Sequence, residues 1–150
     1  LREKSIYTKN LTVSSVSMYD LEDVLMKSFR EDNGISSAFS IEPVDDNEYR
    51  VSTNVVDGLN DTIHFYLVVY PNGTYALNDR VFTAQIIDDN IGSFASIASD
   101  VARLASEFGV LLDDRGGLTR DYINIRDLRN EVNNFTQLLN RVVEFAQIHR

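Results

Sequence analysis

The sequence predicts an α+β domain, a mainly antiparallel sheet with a central hairpin and helices packed on it. Three observations carry this reading. Residues 61–70, DTIHFYLVVY, are apolar on both faces and lead into Asn72-Gly73, a strong short-range hairpin signal. Helical periodicity appears before and after the run of strands rather than between successive strands, which argues against a βαβ wind. The chain has 150 residues, of which 43% are hydrophobic. That length suits one compact domain, which buries about two-thirds of its unfolded surface without a disulfide or metal staple.

Residues 1–13 show no clear period and read as a tail or an edge extension. At Ser17 the pattern changes. Ser17 and Asp20 have the spacing of a capping box. Met18, Leu21, Leu25 and Phe29 follow at helical intervals, and Asn33-Gly34 supplies a left-handed stop, so a helix is expected over 17–32. Partial alternation over 35–43 and 49–56 reads as two strands around the polar VDDNE. In 61–70, Ile63, Phe65, Leu67 and Val69 share one face, and His64, Tyr66, Val68 and Tyr70 the other. Such a strand is expected at the centre of the sheet, covered at least in part on both sides. With Asn72 and Gly73 at the two central positions of a type I′ turn, TYALND returns antiparallel.

Residues 81–95 fit either a short strand with a loop or a weak helix. From Ser96, Ile97, Val101, Leu104 and Phe108 restore the helical period, which Gly109 ends. A small hairpin is expected around 114–117. Asn124, with Asp127 three residues on, is expected to cap a long terminal helix. Ile125, Leu128, Val132, Phe135, Leu139, Val142 and Ala146 alternate spacings of three and four and form one seam. Leu138, Val143, Phe145 and Ile148 widen the apolar arc of the second half to roughly 220°, about twice what one packing surface covers. Either another element of the chain, such as the first helix, covers the surplus, or it forms a homodimer interface of Leu138, Val142, Phe145 and Ile148.

Composition removes several function classes. There are no cysteines, so thiol catalysis, thiolate zinc sites and iron–sulfur clusters are excluded. Zero cysteine and a polar start without a signal-peptide core lead us to expect a cytoplasmic protein. On that view the sequons at Asn10, Asn60, Asn72 and Asn134 are chance occurrences. No apolar run approaches the ~20 residues of a membrane span. P-loop, dinucleotide-fingerprint and nucleophile-elbow motifs are all missing from the sequence. No cofactor is expected.

The formal net charge is −9, which disfavours direct binding to nucleic acid. Six acids between residues 42 and 61 (Glu42, Asp45, Asp46, Glu48, Asp57 and Asp61) stand against Arg50 alone, whereas three acids face four arginines from Asn124 onward. Together with Asp79, these six residues are the candidate binding residues. Their chemistry suits a basic partner protein, or a surface that imitates nucleic acid. Solubility alone also accounts for such charge. The pairs Asp45-Asp46, Asp88-Asp89 and Asp113-Asp114 supply hard oxygen ligands for a divalent metal, but each lies beside turn residues, where aspartate serves backbone geometry. A hydrolase or nuclease core of Asp57, Asp61 and Asp79 lacks a nearby lysine, since the lysines are Lys4, Lys9 and Lys27. No catalytic residue or metal ligand is assigned. His64, mid-strand among aromatics, reads as a packed residue rather than a catalyst. Tyr66, Tyr70 and Tyr75 read equally as interface anchors or as core.

The stretch VSTNVVDGLNDTIHFYLVVYPNGTYALND resembles the core of a bacterial and phage family catalogued as domain of unknown function eighteen-twenty-eight. That family shows T-P-x-x-D followed by N-D-x-I-x-x-Y, a turn, and Y-x-L-T-D-D-G. Thr53, Asp57, Asn60, Asp61, Ile63, Tyr75, Leu77 and Asp79 fall on the pattern, as do Phe108, Gly109 and Val110 and the hairpin after them. Asn54 replaces the family proline, and Arg80 stands where a second acid or glycine would be. The resemblance spans about residues 15–148 and implies a prokaryotic or phage origin, with no activity attached. The combined expectation is a non-catalytic interaction protein of phage or mobile-element origin that binds a basic host protein or nucleoprotein complex. One concrete form is a DNA-mimicking inhibitor of host defence.

Overall fold

The computed structural model describes residues 40–150, and the expected helix over 17–32 lies outside them. The architecture is α+β. Among the described residues six strands form one antiparallel sheet in the order β1-β2-β3-β4-β6-β5. The strands are β1 (Ser40–Asp45), β2 (Glu48–Val56), β3 (Thr62–Val69), β4 (Tyr75–Asn78), β5 (Leu111–Leu112) and β6 (Leu118–Ile123). After β4 the chain leaves the sheet to form α1 (Phe82–Asn90) and α2 (Phe94–Glu107). It returns as the edge strand β5, and β6 then inserts between β5 and β4. A short 3₁₀ turn, Ile125–Asp127, leads into α3 (Leu128–Ile148).

β3 sits third in the sheet, paired on both sides, as its two apolar faces led us to expect. Ile63, Phe65, Leu67 and Val69 are buried, and the opposite face (His64, Tyr66, Val68 and Tyr70) is half-buried. The buried face continues through Tyr49 and Val51 of β2 and Tyr75 and Leu77 of β4. α3 crosses it, with the Phe65 and Phe135 rings 5.0 Å apart at 64°. Thr53 is buried where the β2–β3 register slips, and its hydroxyl donates to the Ile63 carbonyl at 2.7 Å.

Three details depart from the sequence reading. The β3–β4 turn is centred on Pro71 and Asn72: the Gly73 N–H donates to the Tyr70 carbonyl at 3.1 Å, and of Asn72 and Gly73 only Gly73 has positive φ, at 89°. Proline presets the first central position of a type I turn, and Gly73 supplies the left-handed residue that follows. Residues 82–90 are helical, one of the two readings left open for 81–95. α2 begins earlier than expected, capped by Ser93, whose Oγ accepts from the Ser96 N–H at 3.4 Å. Asn124 makes no side-chain cap bond, so the expected capping box is not formed and α3 proper starts at Leu128. α2 does stop at Gly109 (φ 70°), with Val110 N–H on the Ala105 carbonyl and Gly109 N–H on the Ser106 carbonyl. This is the Schellman arrangement.

Part of the wide apolar arc of α3 is covered within the chain. α3 touches α1 and α2 as well as four strands, and Leu138, Val142 and Val143 are buried. Of the expected dimer residues Leu138, Val142, Phe145 and Ile148, only the last two keep accessible surface. Phe145 is half-buried and stacks on His149 at 3.9 Å, and Ile148 is 75% exposed. Arg120 ties β6 to α3 through both Glu131 oxygens, at 3.2 and 3.3 Å.

Candidate functional site

The seven candidate acids do not form one surface. Glu42, Asp45 and Asp46 are exposed along β1 and the tight turn into β2. Glu48, at the start of β2, grips the Arg80 guanidinium, accepting from Nε at 3.1 Å and pairing with Nη2. Asp57 and Asp61 lie beyond the other end of β2, about 26 Å away at ~3.3 Å per residue. Asp57 is 9% exposed and its Oδ1 accepts the N–H groups of Leu59 (2.8 Å) and Asp61 (3.1 Å). Asp79 is 1% exposed and belongs to no surface. Among the described residues no three acidic or imidazole side chains are grouped so that they could hold a metal ion, so Asp57, Asp61 and Asp79 do not assemble the metal core of the rival hydrolase reading.

Asp79 instead organises the backbone. Its Oδ1 accepts from Val81 N–H at 3.0 Å and from Leu118 N–H on β6 at 2.9 Å, and its Oδ2 accepts from Thr83 N–H at 3.3 Å. Asn78 Oδ1 accepts from Arg80 N–H at 2.6 Å. These bonds hold Arg80 (φ 54°) and Val81 (φ 66°) in consecutive left-handed conformations. For a β-branched residue that geometry costs on the order of 1–3 kcal/mol and persists only where the surroundings over-determine it. Burial pushes the Asp79 carboxyl above the ordinary aspartate range, against the opposing pull of the N–H donors. The Arg80 guanidinium lies 3.9 Å from the Tyr66 ring centroid.

A groove of about 620 Å³ opens beside this turn, between Glu48, Asn78 and Arg80 on one side and Gln85, Asp113 and Arg115 on the other. A second cavity of about 390 Å³ shares Val81, Gln85, Asp113 and Arg115 with it and runs on over Ala84, Phe94, Ala98 and Leu112. Asp45 pairs in register with Glu48, which lines the groove, so the exposed β1–β2 turn lies next to it. The far wall is the turn 113–117. There Asp113 Oδ1 accepts from the N–H groups of Arg115 and Gly117, both at 2.8 Å. The Gly117 N–H is the main cause that holds the Asp113 carboxyl below its ordinary range. Gly116 (φ 92°) closes this wall on α1: a Cβ there would lie 3.0 Å from Ala84 Cβ.

His64 is packed, its ring 4.7 Å from Phe82 and 6.3 Å from Tyr66, and burial, then the Arg50 charge, push its pKa down. The cavity that His64 shares with Asp57, Thr62 and Thr83 holds about 20 Å³, room for one water rather than a substrate. Tyr75 is core at 3% exposure, and the half-buried Tyr70 donates to Asp121 at 3.0 Å.

The groove was not visible in the sequence. It arises where residues 81–88 meet residues 112–117, a contact set by tertiary packing. The sequence signals that touch it are Glu48 among the candidate acids, Asp88, the Asp113-Asp114 pair and the hairpin expected around 114–117. No known family model matches the chain, and comparison with curated proteins and with solved structures finds no match.

Proposed function

We propose that this is a non-catalytic interaction protein whose acidic surface binds a basic partner protein. The observation that carries the reading is the exposure of Glu42, Asp45 and Asp46 on the edge strand and its turn, beside the groove mouth, in a chain of net charge −9. Complementary charge of this kind speeds encounter and selects partners. The rival hydrolase gains no support, because Asp57 and Asp79 spend their carboxylates on backbone N–H groups. An inhibitor of a host nucleic-acid-handling complex, carried by a phage or mobile element and acting in the cytoplasm as a DNA mimic, is the concrete form we favour. Among the described residues no helix is long and apolar enough to cross a membrane.

The test is affinity capture from a bacterial lysate at low and high salt, with wild type and a variant carrying Glu42→Gln, Asp45→Asn and Asp46→Asn. Basic proteins should be retained by the wild type at low salt, released at high salt, and largely lost by the variant. Equal retention by both proteins would overturn the reading.

A further inference from the structure

We propose that the apolar end of the groove is the anchor site for an extended segment of that basic partner, taking one large apolar side chain flanked by lysine or arginine. This rests on the interaction reading above and names where and how the partner is held.

The two cavities differ in chemistry. Around the one of about 620 Å³, two carboxylates (Glu48 and Asp113) balance two guanidiniums (Arg80 and Arg115). Around the one of about 390 Å³, among the described residues three carboxylates (Asp88, Asp113 and Asp114) stand against one guanidinium, that of Arg115. The excess negative charge therefore sits at the more apolar of the two ends, where Phe94, Ala98 and Leu112 line the wall with Ala84 and Ala95 beside them. Small alanines leave space where larger side chains would fill it. The volume falls in the ~300–1,000 Å³ range of concave sites that hold a ligand on an apolar lining with a few polar groups. An apolar anchor with cationic neighbours satisfies both features, and an acidic segment would meet like charge.

The walls are fixed in advance. Asp88 Oδ1 accepts from Phe94 N–H at 2.8 Å, which locks the junction of α1 and α2. Asp79 and Asp113 lock the two turns that face each other across the groove. A site that does not have to order itself loses less affinity on binding. The left-handed Val81 in its wall fits the tendency of backbone strain to gather at functional sites.

The experiment pans a displayed library of random short linear peptides against the full chain, then measures binding of a fluorescein-labelled consensus peptide by anisotropy at low and high salt. The expected consensus is one large apolar residue flanked by lysine or arginine. Ala95→Phe, on an exposed α2 position in the groove lining, fills the space without changing charge and should weaken binding by about tenfold or more. Asp114→Asn should weaken it by about threefold and flatten its salt dependence. Thermal melting by circular dichroism checks that both variants fold. No enrichment, an acidic consensus, or unchanged affinity in folded Ala95→Phe overturns the anchor site. The Glu42, Asp45 and Asp46 triple variant separates the two proposals. If it keeps peptide binding and wild type and variant capture lysate proteins equally, the acidic-surface reading fails and the anchor stands. If it loses lysate capture and the consensus peptide ignores Ala95→Phe, the anchor fails and the acidic-surface reading stands.

Discussion

The loops at Asp57 and Asp113 and the segment at Asp79 use the same side-chain chemistry to opposite ends. In all three an aspartate carboxylate accepts N–H groups two and four residues on: Leu59 and Asp61, Arg115 and Gly117, Val81 and Thr83. At 57–61 and 113–117 this closes a hairpin. The first N–H bonds the fifth carbonyl, the fourth N–H bonds the first carbonyl, and the fourth residue (Asn60 or Gly116) is left-handed. The 70–74 loop has the same backbone with Gly73 in that place. At 79 no hairpin closes. Two left-handed residues, neither of them glycine, turn the chain out of the sheet and into α1. Aspartate thus serves as a local template: at Asp113 the turn stands in water, at Asp79 it is bolted to the core, and Asp57, 9% exposed, closes its hairpin from a nearly buried position.

The largest expected effect separates the two uses. Asp79→Ala leaves the N–H groups of Val81, Thr83 and Leu118 without their acceptor inside the protein and releases a strained turn, which should cost about 3 kcal/mol or more. Asp113→Ala removes two bonds at an exposed turn, where water replaces them, and should cost about 1 kcal/mol. Urea unfolding of both variants measures the gap. Equal losses would mean that the Asp79 turn carries no more of the fold than a surface loop.

This comparison also explains what the sequence disclosed. Alternation in 61–70 and the three-four spacing of α3 report burial directly, so the central strand and the long helix could be read in advance. The turn at Pro71 was misplaced because Asn-Gly signals a left-handed residue without saying which register it takes, and proline decided that register. Asp79 read as a surface acid because charge implies exposure unless partners are known, and one of its partners, Leu118 N–H, lies 39 residues away. The surplus apolar width of α3 read equally as self-association or internal cover, since sequence does not show that α1 and α2 lie beside it. The groove rests on the same long-range packing.

Next in size is a comparison of two glycines with nearly the same φ, +92° at Gly116 and +89° at Gly73. Alanine at Gly73 meets nothing within 4 Å among the described residues, so backbone strain alone should cost about 1 kcal/mol. Alanine at Gly116 adds a contact of 3.0 Å with Ala84 Cβ on α1, and should cost about 2 kcal/mol or more. Melting temperatures that fall equally would show that the 113–117 turn does not press on α1, and the groove would lose its closed wall.

The two aspartates should also respond oppositely to pH. Burial raises the folded pKa of Asp79 above its unfolded value of about 3.9, so its contribution is greatest below that value and declines as pH rises through the raised pKa. The Gly117 N–H is the main cause lowering that of Asp113, whose contribution is present above the unfolded value and lost as pH falls through the lowered pKa. From neutral pH to about pH 4, wild type should therefore gain stability relative to Asp79→Asn. Below that, it should lose its advantage over Asp113→Asn. Urea unfolding across this range gives both differences, and slopes of the same sign would break the contrast between buried and exposed templates.

The smallest effect tests whether the three hairpin loops are one structure. Asn60 occupies the left-handed place, at φ 67°, that Gly73 and Gly116 occupy in the other two. Asparagine tolerates that region better than other side chains, so its strain is modest. Glycine would remove the strain, but it gives the unfolded chain more freedom, which costs roughly 0.5–1 kcal/mol. The two terms oppose, and Asn60→Gly should change stability by no more than about 0.5 kcal/mol. Asn60→Ala keeps the Cβ and loses the local hydrogen bonding that eases asparagine into this conformation, so it should cost about 1 kcal/mol. Urea unfolding of the pair gives the order Gly above Ala if the backbone of 57–61 matches that of 70–74 and 113–117. The reverse order would mean that residue 60 is not held in the left-handed region, and that loop would then differ in kind from the other two.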